Sequence, residues 1–247
     1  MELRVFDTAD QLAKAATAFV AEMLLADAKP LLCAASGDTP SGTYKKIVDY
    51  HKQGKFSIDK CSMLSLDEWT GLNSANPGSC GYSIKEQLTS PLGWPDTNTC
   101  FFDGRASDLN IECLRVEKYL EEKGPITVAI LGLGLNGHIG LNEPGTDPTL
   151  RSHITSLEPS TAKTGQKYFD APQVLTGGIT LGIANLLEAR HLLLLLTGAH
   201  KREIVQQLVE SGPDPLIPAT LLKAHPSFHL YLDGDAAGSL SIGATNF

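Results

Sequence analysis

The sequence contains no apolar run that approaches the roughly 20 residues needed to cross a membrane. Its first residues, MELRVFDTADQ, carry charges and lack the apolar core of a secretory signal peptide. It has only five cysteines, an odd number, and no CxxC pair. These absences predict a protein without a membrane span, with reduced thiols, located in the cytoplasm.

The sequence also has fewer positively than negatively charged residues. Lysine and arginine number 20 against 28 aspartates and glutamates, so the formal net charge is −8. This charge argues against a nucleic-acid partner, although a local basic pocket can still hold a small anion. The 247 residues show no linker, repeat or low-complexity segment, and we predict a single domain over residues 1–247.

Apolar segments alternate with amphipathic ones along the whole chain. Short apolar runs predict strands at 4–6, 31–35, 62–66, 99–102, 128–131, 152–157, 191–196 and 228–232. Patterns typical of helices occur at 12–24, 40–47, 80–88, 108–120, 160–169, 179–187, 197–209 and 218–222. This alternation indicates an α/β fold with a doubly wound, mostly parallel sheet and helices on both faces.

Two predicted strands are followed by a glycine-containing loop and then by the start of a helix. The loops are SGDTPS at 36–41 and TGAHK at 197–201. A helix start presents free backbone N–H groups and the positive end of the helix dipole, which together bind anions. Ser36 and Thr39 add hydroxyl groups, and Lys201 adds a charge. The alternative for the first loop is an ordinary turn in which Ser, Thr or Asp caps the helix.

Two adjacent acids, Asp67 and Glu68, follow the strand predicted at 62–66. They are either a pair that caps a helix or catalytic groups in the ligand crevice, which lies at the carboxyl ends of the strands in such folds. Asp67 marks one of four strand ends, with Ser36, Gly132 and Thr197, that we expect to meet at a common crevice.

The segment VAILGLGLNGHIGLNEPG at 128–145 carries the largest concentration of glycine and polar groups. Its GLGLNG part fits the G-x-G-x-x-G motif of dinucleotide-binding folds, and Glu158 lies near the position of the acid that binds the ribose. We reject that interpretation, because the motif requires a helix to begin inside it. Here NEPG at 142–145 ends any helix almost at once.

His138 and Glu143 offer a second interpretation of the same loop. A histidine at a strand end can act as a general acid and base near neutral pH. Glu143 can orient its ring from across the turn, and Asn136 can do so through its amide oxygen. The alternative is that His138 binds loop backbone and that Glu143 caps a helix.

These loops give the sequence a resemblance to the glucosamine-6-phosphate deaminase/isomerase family, which shares its fold with 6-phosphogluconolactonase. The resemblance extends over nearly the whole chain and rests on SGDTP at 36–40, LDEW at 66–69, GLNGHIGLNEP at 134–144 and TGAHK at 197–201. The Gly-His-x-x-x-Asn-Glu-Pro run is its specific part, since lactonases of this fold continue after Gly-His with a Ser-Leu-Phe-Pro type of ending. Within the deaminases the chain is most similar to the galactosamine-6-phosphate branch, on LGLG at 131–134, PGSC at 77–80, GITLG at 178–182 and IPA at 217–219.

The resemblance implies a role for each candidate residue. Asp67 is the base that moves the C2 proton, His138 opens the sugar ring, and Glu143 orients His138, with Asn136 beside them in the catalytic group. The implied phosphate-binding residues are Ser36, Gly37, Asp38, Thr39, Lys201 and Lys167. Glu68 is expected to face away as a charge at a helix start.

The sequence departs from the family pattern in three respects. Asn136 replaces an aspartate, which removes a negative charge beside His138. Lys167 replaces an arginine that binds phosphate, so a point charge stands in for a bidentate fork. The residues that bind an allosteric effector in some members correspond to His153 and Thr155, and the chain ends at Phe247 without a further tail. These differences argue against regulation by an acetylated amino-sugar phosphate.

The resemblance implies an enzyme that converts a 2-amino-2-deoxyhexose 6-phosphate into a ketose 6-phosphate and ammonium, with galactosamine 6-phosphate ahead of glucosamine 6-phosphate. Such an enzyme needs no metal or organic cofactor and no membrane partner, and it is compatible with a homo-oligomer. Two other classes remain open. A lactonase needs only a phosphate anchor and an activated water, and a sugar-phosphate sensor needs no chemistry. The acidic chain and the lack of a preceding DNA-binding segment make the sensor less favoured.

Overall fold

The computed structural model describes residues 1–238 and 240, and its centre is a seven-stranded parallel sheet. The strands of the protein, numbered along the chain, are β1 (Glu2–Phe6), β2 (Leu31–Ala34), β3 (Ser62–Ser65), β4 (Asp67–Trp69), β5 (Thr99–Cys100), β6 (Val128–Leu131), β7 (His153–Ser156), β8 (Gly177–Thr180), β9 (His191–Leu196) and β10 (Phe228–Asp233). The large sheet has the order β1-β10-β9-β6-β2-β3-β5, and each neighbouring pair is parallel. The predicted doubly wound α/β fold is confirmed.

Helices cover both faces of this sheet. The α-helices of the described residues are, in chain order, α1 (Ala9–Ala26), α2 (Asp38–Lys52), α3 (Cys80–Ile84), α4 (Ser90–Leu92), α5 (Leu109–Lys123), α6 (Pro159–Gly165), α7 (Ile183–Leu187), α8 (Arg202–Glu210) and α9 (Gly234–Ala237). Along β9, Leu192 and Leu194 pack with α5, α7 and α8, whereas Leu193 and Leu195 pack with α1 and α2. Strands buried on both faces are continuous apolar runs, which made most of them predictable. Among the helices of residues 1–238, none combines the length and apolar composition that a membrane crossing requires.

After β3 the chain enters β4, which belongs to a second sheet. This sheet has three antiparallel strands in the order β4-β8-β7. The sequence analysis did not predict it, and the helix expected at 179–187 is wrong in its first half, because α7 begins only at Ile183. Gly178 in β8 has no room for a side chain, since a Cβ there would lie 2.1 Å from Cδ1 of Leu141. Pairing of β4 with β8 sets Asp67 opposite Thr180.

Two helix starts also differ from the prediction. Helix α2 begins at Asp38 rather than at Pro40 or Ser41, and its N-cap is Gly37 with φ of 110° and no side-chain cap. The predicted Ser, Thr or Asp cap is therefore wrong, and glycine occupies the position because other residues rarely adopt that φ. The helix expected from residue 197 begins with a 3₁₀ turn, Ala199–Lys201, before α8.

Candidate active site

A cavity of about 230 Å³ opens at the carboxyl ends of β2, β3, β6 and β9. These four strands are neighbours, and the direction of winding reverses between β6 and β2. A doubly wound sheet leaves a crevice at such a reversal. The four strand ends expected to converge, at Ser36, Asp67, Gly132 and Thr197, all line this cavity.

The start of α2 lines one part of the cavity. Among the described residues, no side chain caps the first N–H groups of this helix at Gly37. These groups are available to an anion, at the positive end of the helix dipole. Ser36 and Thr39 line the cavity beside them. The predicted anion loop therefore has both the backbone donors and the hydroxyl groups that such a site requires.

Lys201 reaches the same cavity from the turn after β9. Its Nζ donates a hydrogen bond of 2.5 Å to the carbonyl oxygen of Leu133. Burial, together with the positive charge of Lys167, lowers the pKa of Lys201 to about 8. A half-buried ammonium with no ion pair among the described residues favours a bound anion, because the anion offsets the loss of solvation.

Lys167 and Asp38 form an ion pair at the edge of the cavity. Nζ of Lys167 lies 2.5 Å from Oδ2 of Asp38, although the two residues are 129 positions apart. A carboxylate beside an anion site would repel its ligand, and Lys167 offsets that charge. The next residue, Tyr168, also lines the cavity, with its hydroxyl 3.5 Å from where a Cβ on Gly37 would lie.

His138 is held by side chains on one edge of its ring. Its Nδ1 lies 3.2 Å from the hydroxyl of Thr161 and 3.5 Å from Oε2 of Glu143. Asn136 joins the group, because its Nδ2 donates to the same Glu143 oxygen at 2.8 Å and its Oδ1 accepts the backbone N–H of His138. The ring rests on Gly134, where a Cβ would lie 2.3 to 2.5 Å from three ring atoms. The observed position of the His138 ring therefore requires a glycine at residue 134.

Glu143 is nearly buried and remains a carboxylate. Burial by itself raises the pKa of Glu143, but hydrogen bonds from His138, Thr161 and Asn136 outweigh it and leave the pKa below its usual value. Oε1 of Glu143 also accepts the backbone N–H of Glu158, just before α6. Each of the two interpretations of Glu143 therefore matches part of the geometry. The Glu143 carboxylate contacts the ring of His138 and also accepts an N–H group at a helix start.

Asp67 is 6% exposed and lines the cavity. Its Oδ1 is buried and accepts no hydrogen bond from the described residues. Burial, reinforced by the neighbouring Glu68, raises the pKa of Asp67 to about 7. A carboxyl group with this pKa is suited to exchange a proton near neutral pH.

Glu68 points away from the cavity into a set of backbone donors. Its carboxylate accepts the N–H groups of Trp69 at 2.8 Å, Cys80 at 3.0 Å and Gly81 at 2.8 Å. The last two belong to the first turn of α3, so the expectation that Glu68 is a charge at a helix start is confirmed. This helix, α3, starts twelve residues after Glu68 and not directly after it.

Several residues that line the cavity were missed by the sequence analysis. They are Cys80, Ser160, Thr161, Thr164, Tyr168 and His200, among others. Thr161 and Tyr168 follow the helix start at Pro159, and Tyr168 adjoins Lys167. Lys167 was the only signal that placed this segment near the site. His153 and Thr155, the residues considered for an effector, lie on β7 and do not line the cavity.

The geometry can be compared with known proteins. The model of the family described as glucosamine-6-phosphate isomerases/6-phosphogluconolactonase matches residues 6–230. The chain belongs to this family. A family member from Clostridium tetani, a glucosamine-6-phosphate deaminase, is 36% identical over 240 residues, which cover 96% of this chain and 99% of that protein. Another from Clostridium botulinum (strain Loch Maree / Type A3) is 32% identical over 243 residues, which cover 98% and 100%.

Solved structures of the family agree with the fold. A monomeric glucosamine-6-phosphate deaminase has a TM-score of 0.92 and 30% identity, covering 96% of this chain and 99% of that one. A 6-phosphogluconolactonase from Leishmania guyanensis has a TM-score of 0.77 at 17% identity, covering 98% and 99%, which shows a likeness of fold alone. The predicted family is thus confirmed, whereas the galactosamine branch stays a prediction.

The lowered pKa of Lys201 predicts how anion binding depends on pH. Sulfate keeps its charge between about pH 6 and 9.5, so a change in its affinity over this range results from ionisation of a group of the protein. We expect sulfate binding, measured by calorimetry, to weaken progressively above about pH 8 as Lys201 loses its proton. Lys201→Arg keeps its charge in this range, so its affinity should change only as Asp67 ionises near pH 7 and should stay nearly constant above about pH 8. Parallel weakening of both proteins would show that another group is responsible.

Proposed function

We propose that this chain is an amino-sugar-6-phosphate deaminase/isomerase. It converts a 2-amino-2-deoxyhexose 6-phosphate and water into a ketohexose 6-phosphate and ammonium. The observation that carries the proposal is the buried Asp67, whose Oδ1 is unpartnered in a cavity that also contains a histidine and an anion loop. Relatives at 36% and 32% identity that are glucosamine-6-phosphate deaminases support the substrate class.

The first step in this proposal is capture of the 6-phosphate. The free N–H groups at the start of α2 and the hydroxyls of Ser36 and Thr39 hold its oxygens. Lys201 supplies a charge-assisted hydrogen bond, and Lys167 adds a second charge from the edge of the cavity. Anchoring the phosphate orients the sugar ring toward the remaining groups.

Ring opening is assigned to His138. Both side-chain contacts of the ring are made by Nδ1, which leaves Nε2 for the substrate. In this proposal the imidazole takes the proton from O1 and delivers it to the ring oxygen. The C1–O5 bond breaks and an open aldehyde results. Glu143 stabilises the positively charged imidazolium that exists between the two transfers, and Asn136 holds Glu143 in place.

Isomerisation and deamination are assigned to Asp67. Its carboxylate removes the proton from C2, and the electron pair of that bond forms a C1–C2 double bond. O1 takes a proton from the substrate's own ammonium group at C2 and becomes a hydroxyl, which gives an enolamine. The proton then passes from Asp67 to C1, and a protonated imine remains at C2. Water adds at C2, the C–N bond breaks, and ammonium leaves as the ketone forms. A pKa of about 7 lets Asp67 act first as base and then as acid.

Galactosamine 6-phosphate is the preferred substrate in this proposal, and glucosamine 6-phosphate is second. The preference rests on the motifs shared with the galactosamine branch, among them PGSC at 77–80 and GITLG at 178–182. The names of the relatives point to the other epimer. Side-by-side kinetics on the two sugars decide between them.

The activity is tested by ammonium release from galactosamine 6-phosphate and glucosamine 6-phosphate, with N-acetylglucosamine 6-phosphate as a control that lacks a free amine. We expect ammonium from both amino sugars, a higher kcat/KM for the galacto epimer, and none from the acetylated sugar. A preference of about tenfold or more for the gluco epimer would reverse the epimer assignment alone. Ammonium from neither sugar, with hydrolysis of 6-phosphogluconolactone instead, would replace the proposal by a lactonase.

Asp67→Asn keeps the shape of the side chain but cannot accept the C2 proton. We expect kcat to fall by about 10²–10⁴-fold with little change in KM, because a general base contributes by about this factor. Substrate deuterated at C2 should show a primary isotope effect in the wild type where proton transfer limits the rate, and some deuterium should reach C1 of the ketose.

The matched control is Asp27→Asn. Asp27 is also a buried aspartate, which accepts a hydrogen bond from Thr127 at the opposite end of the sheet. It should retain near wild-type kinetics. An Asp67→Asn variant that kept most of its deaminase activity would contradict the assignment of Asp67 as the base.

A further inference from the structure

Tyr168 is the last residue of a 3₁₀ turn and lines the cavity directly after Lys167. These two consecutive side chains reach two consecutive residues of the anion loop at 36–39. Nζ of Lys167 pairs with Asp38 at 2.5 Å, and the hydroxyl oxygen of Tyr168 lies 3.5 Å from where a Cβ on Gly37 would be. Gly37 is the N-cap of α2, so the hydroxyl lies beside the first free N–H groups of that helix.

The loop at 77–80 fixes the backbone of Tyr168 from another side. A Cβ on Gly78 would lie 2.4 Å from Cδ1 of Phe169 and 2.7 Å from the carbonyl oxygen of Tyr168. Gly78 also has φ of 88°, a conformation that favours glycine. Phe169 in turn packs against a buried cluster that includes Trp69. The hydroxyl of Tyr168 is therefore held over the anion loop before a ligand binds, which reduces the entropy cost of binding.

The Tyr168 hydroxyl is available as a hydrogen-bond donor. Nζ of Lys167 lies 4.9 Å from the centroid of the Tyr168 ring, and an ammonium group has no acceptor for the hydroxyl proton. No other group of the described residues accepts that proton either. Burial and the charge of Asp38 raise the pKa of Tyr168, so the hydroxyl keeps its proton near neutral pH. An anion in the cavity would supply the missing acceptor.

We infer that Tyr168 is a further phosphate-binding residue, whose hydroxyl donates to one oxygen of the substrate's 6-phosphate while the first N–H groups of α2 bind the others. This inference rests on the proposed function, because it adds a ligand to the same phosphate. The two neighbours have different tasks. Lys167 lies between Asp38 and the Tyr168 ring and supplies charge, whereas Tyr168 supplies a directed hydrogen bond.

The test uses two substitutions of Tyr168. Tyr168→Phe removes the hydroxyl and keeps the ring beside Lys167, whereas Tyr168→Leu removes both. The matched control is Tyr50→Phe, because Tyr50 is also half-buried, has Nζ of Lys55 at 5.2 Å from its ring centroid, and does not line the cavity. Sulfate affinity is measured by calorimetry at pH 7 in the unliganded protein, and kcat and KM are measured on the better of the two amino-sugar 6-phosphates.

We expect Tyr168→Phe to bind sulfate about 10-fold more weakly than the wild type, because a hydrogen bond to a charged acceptor contributes about this factor. KM should rise by a similar factor and kcat should stay within about twofold, since the phosphate is bound alike in the ground state and the transition state. Tyr168→Leu should lose at least as much affinity, and Tyr50→Phe should keep wild-type values. A loss of packing alone would not separate KM from kcat in this way.

Several results would overturn the inference. Wild-type sulfate affinity in Tyr168→Phe with weak binding in Tyr168→Leu would show that the ring only positions Lys167. A raised KM with unchanged sulfate affinity would show that the hydroxyl contacts the sugar and not the phosphate. A wild-type protein that binds neither sulfate nor inorganic phosphate would remove the anion site itself.

The proposed function can fail separately. If the wild type releases no ammonium from either amino sugar, the assignment of the reaction is wrong, but sulfate calorimetry needs no turnover. In that case a loss of about 10-fold in Tyr168→Phe would still support Tyr168 as an anion ligand. An unchanged affinity would overturn the inference whatever reaction the protein catalyses.

Discussion

Two adjacent carboxylates are buried in one short strand, and the site depends on how differently the protein treats them. Glu68 is fully buried and accepts three backbone N–H groups, two of them from the first turn of α3. These bonds compensate part of its burial and fix α3 against β4. Asp67 beside it has a buried oxygen that accepts no hydrogen bond from the described residues. Burial raises the pKa of both groups, but the backbone hydrogen bonds of Glu68 make negative charge less unfavourable on Glu68 than on Asp67.

This asymmetry has a cost in stability. The pKa of Asp67 moves from its ordinary value of 3.8 to about 7, and a shift of about three units corresponds to about 4 kcal/mol. Because the pKa in the folded state is higher than in the unfolded state, the favourable contribution is fully present below about pH 4 and is lost as the pH rises through about 7. Near neutral pH the folded protein is therefore less stable than it would be with an ordinary carboxyl group at this position. In return the carboxylate is basic enough to exchange protons with carbon.

The sequence predicted those features that depend on local pattern. Buried parallel strands such as Val128–Leu131 are apolar runs, and polar loops after such strands meet at one edge of the sheet. The convergence of Ser36, Asp67, Gly132 and Thr197 followed from that rule. The capping of α5 by Asp108 followed from a residue type with a known preference for helix starts.

The features that could not be predicted depend on partners distant in the chain. The strand Gly177–Thr180 is short and rich in glycine, and it is a strand only because β4 and β7 lie on either side of it. The ion pair of Lys167 with Asp38 likewise joins two separate elements. Burial, which shifts the pKa of Asp67 and of Lys201, is a property of the assembled cavity.

The pKa of the Asp67 carboxyl in the unliganded protein is the most direct test of whether burial makes this group basic. The protein is labelled with ¹³C at aspartate carboxyl carbons and titrated by NMR, and the Asp67 signal is the one missing from the Asp67→Asn spectrum. We expect a midpoint at about 7. A midpoint close to the ordinary value of 3.8 would show that the carboxylate is solvated or paired in solution. That result would contradict its assignment as a base tuned by burial.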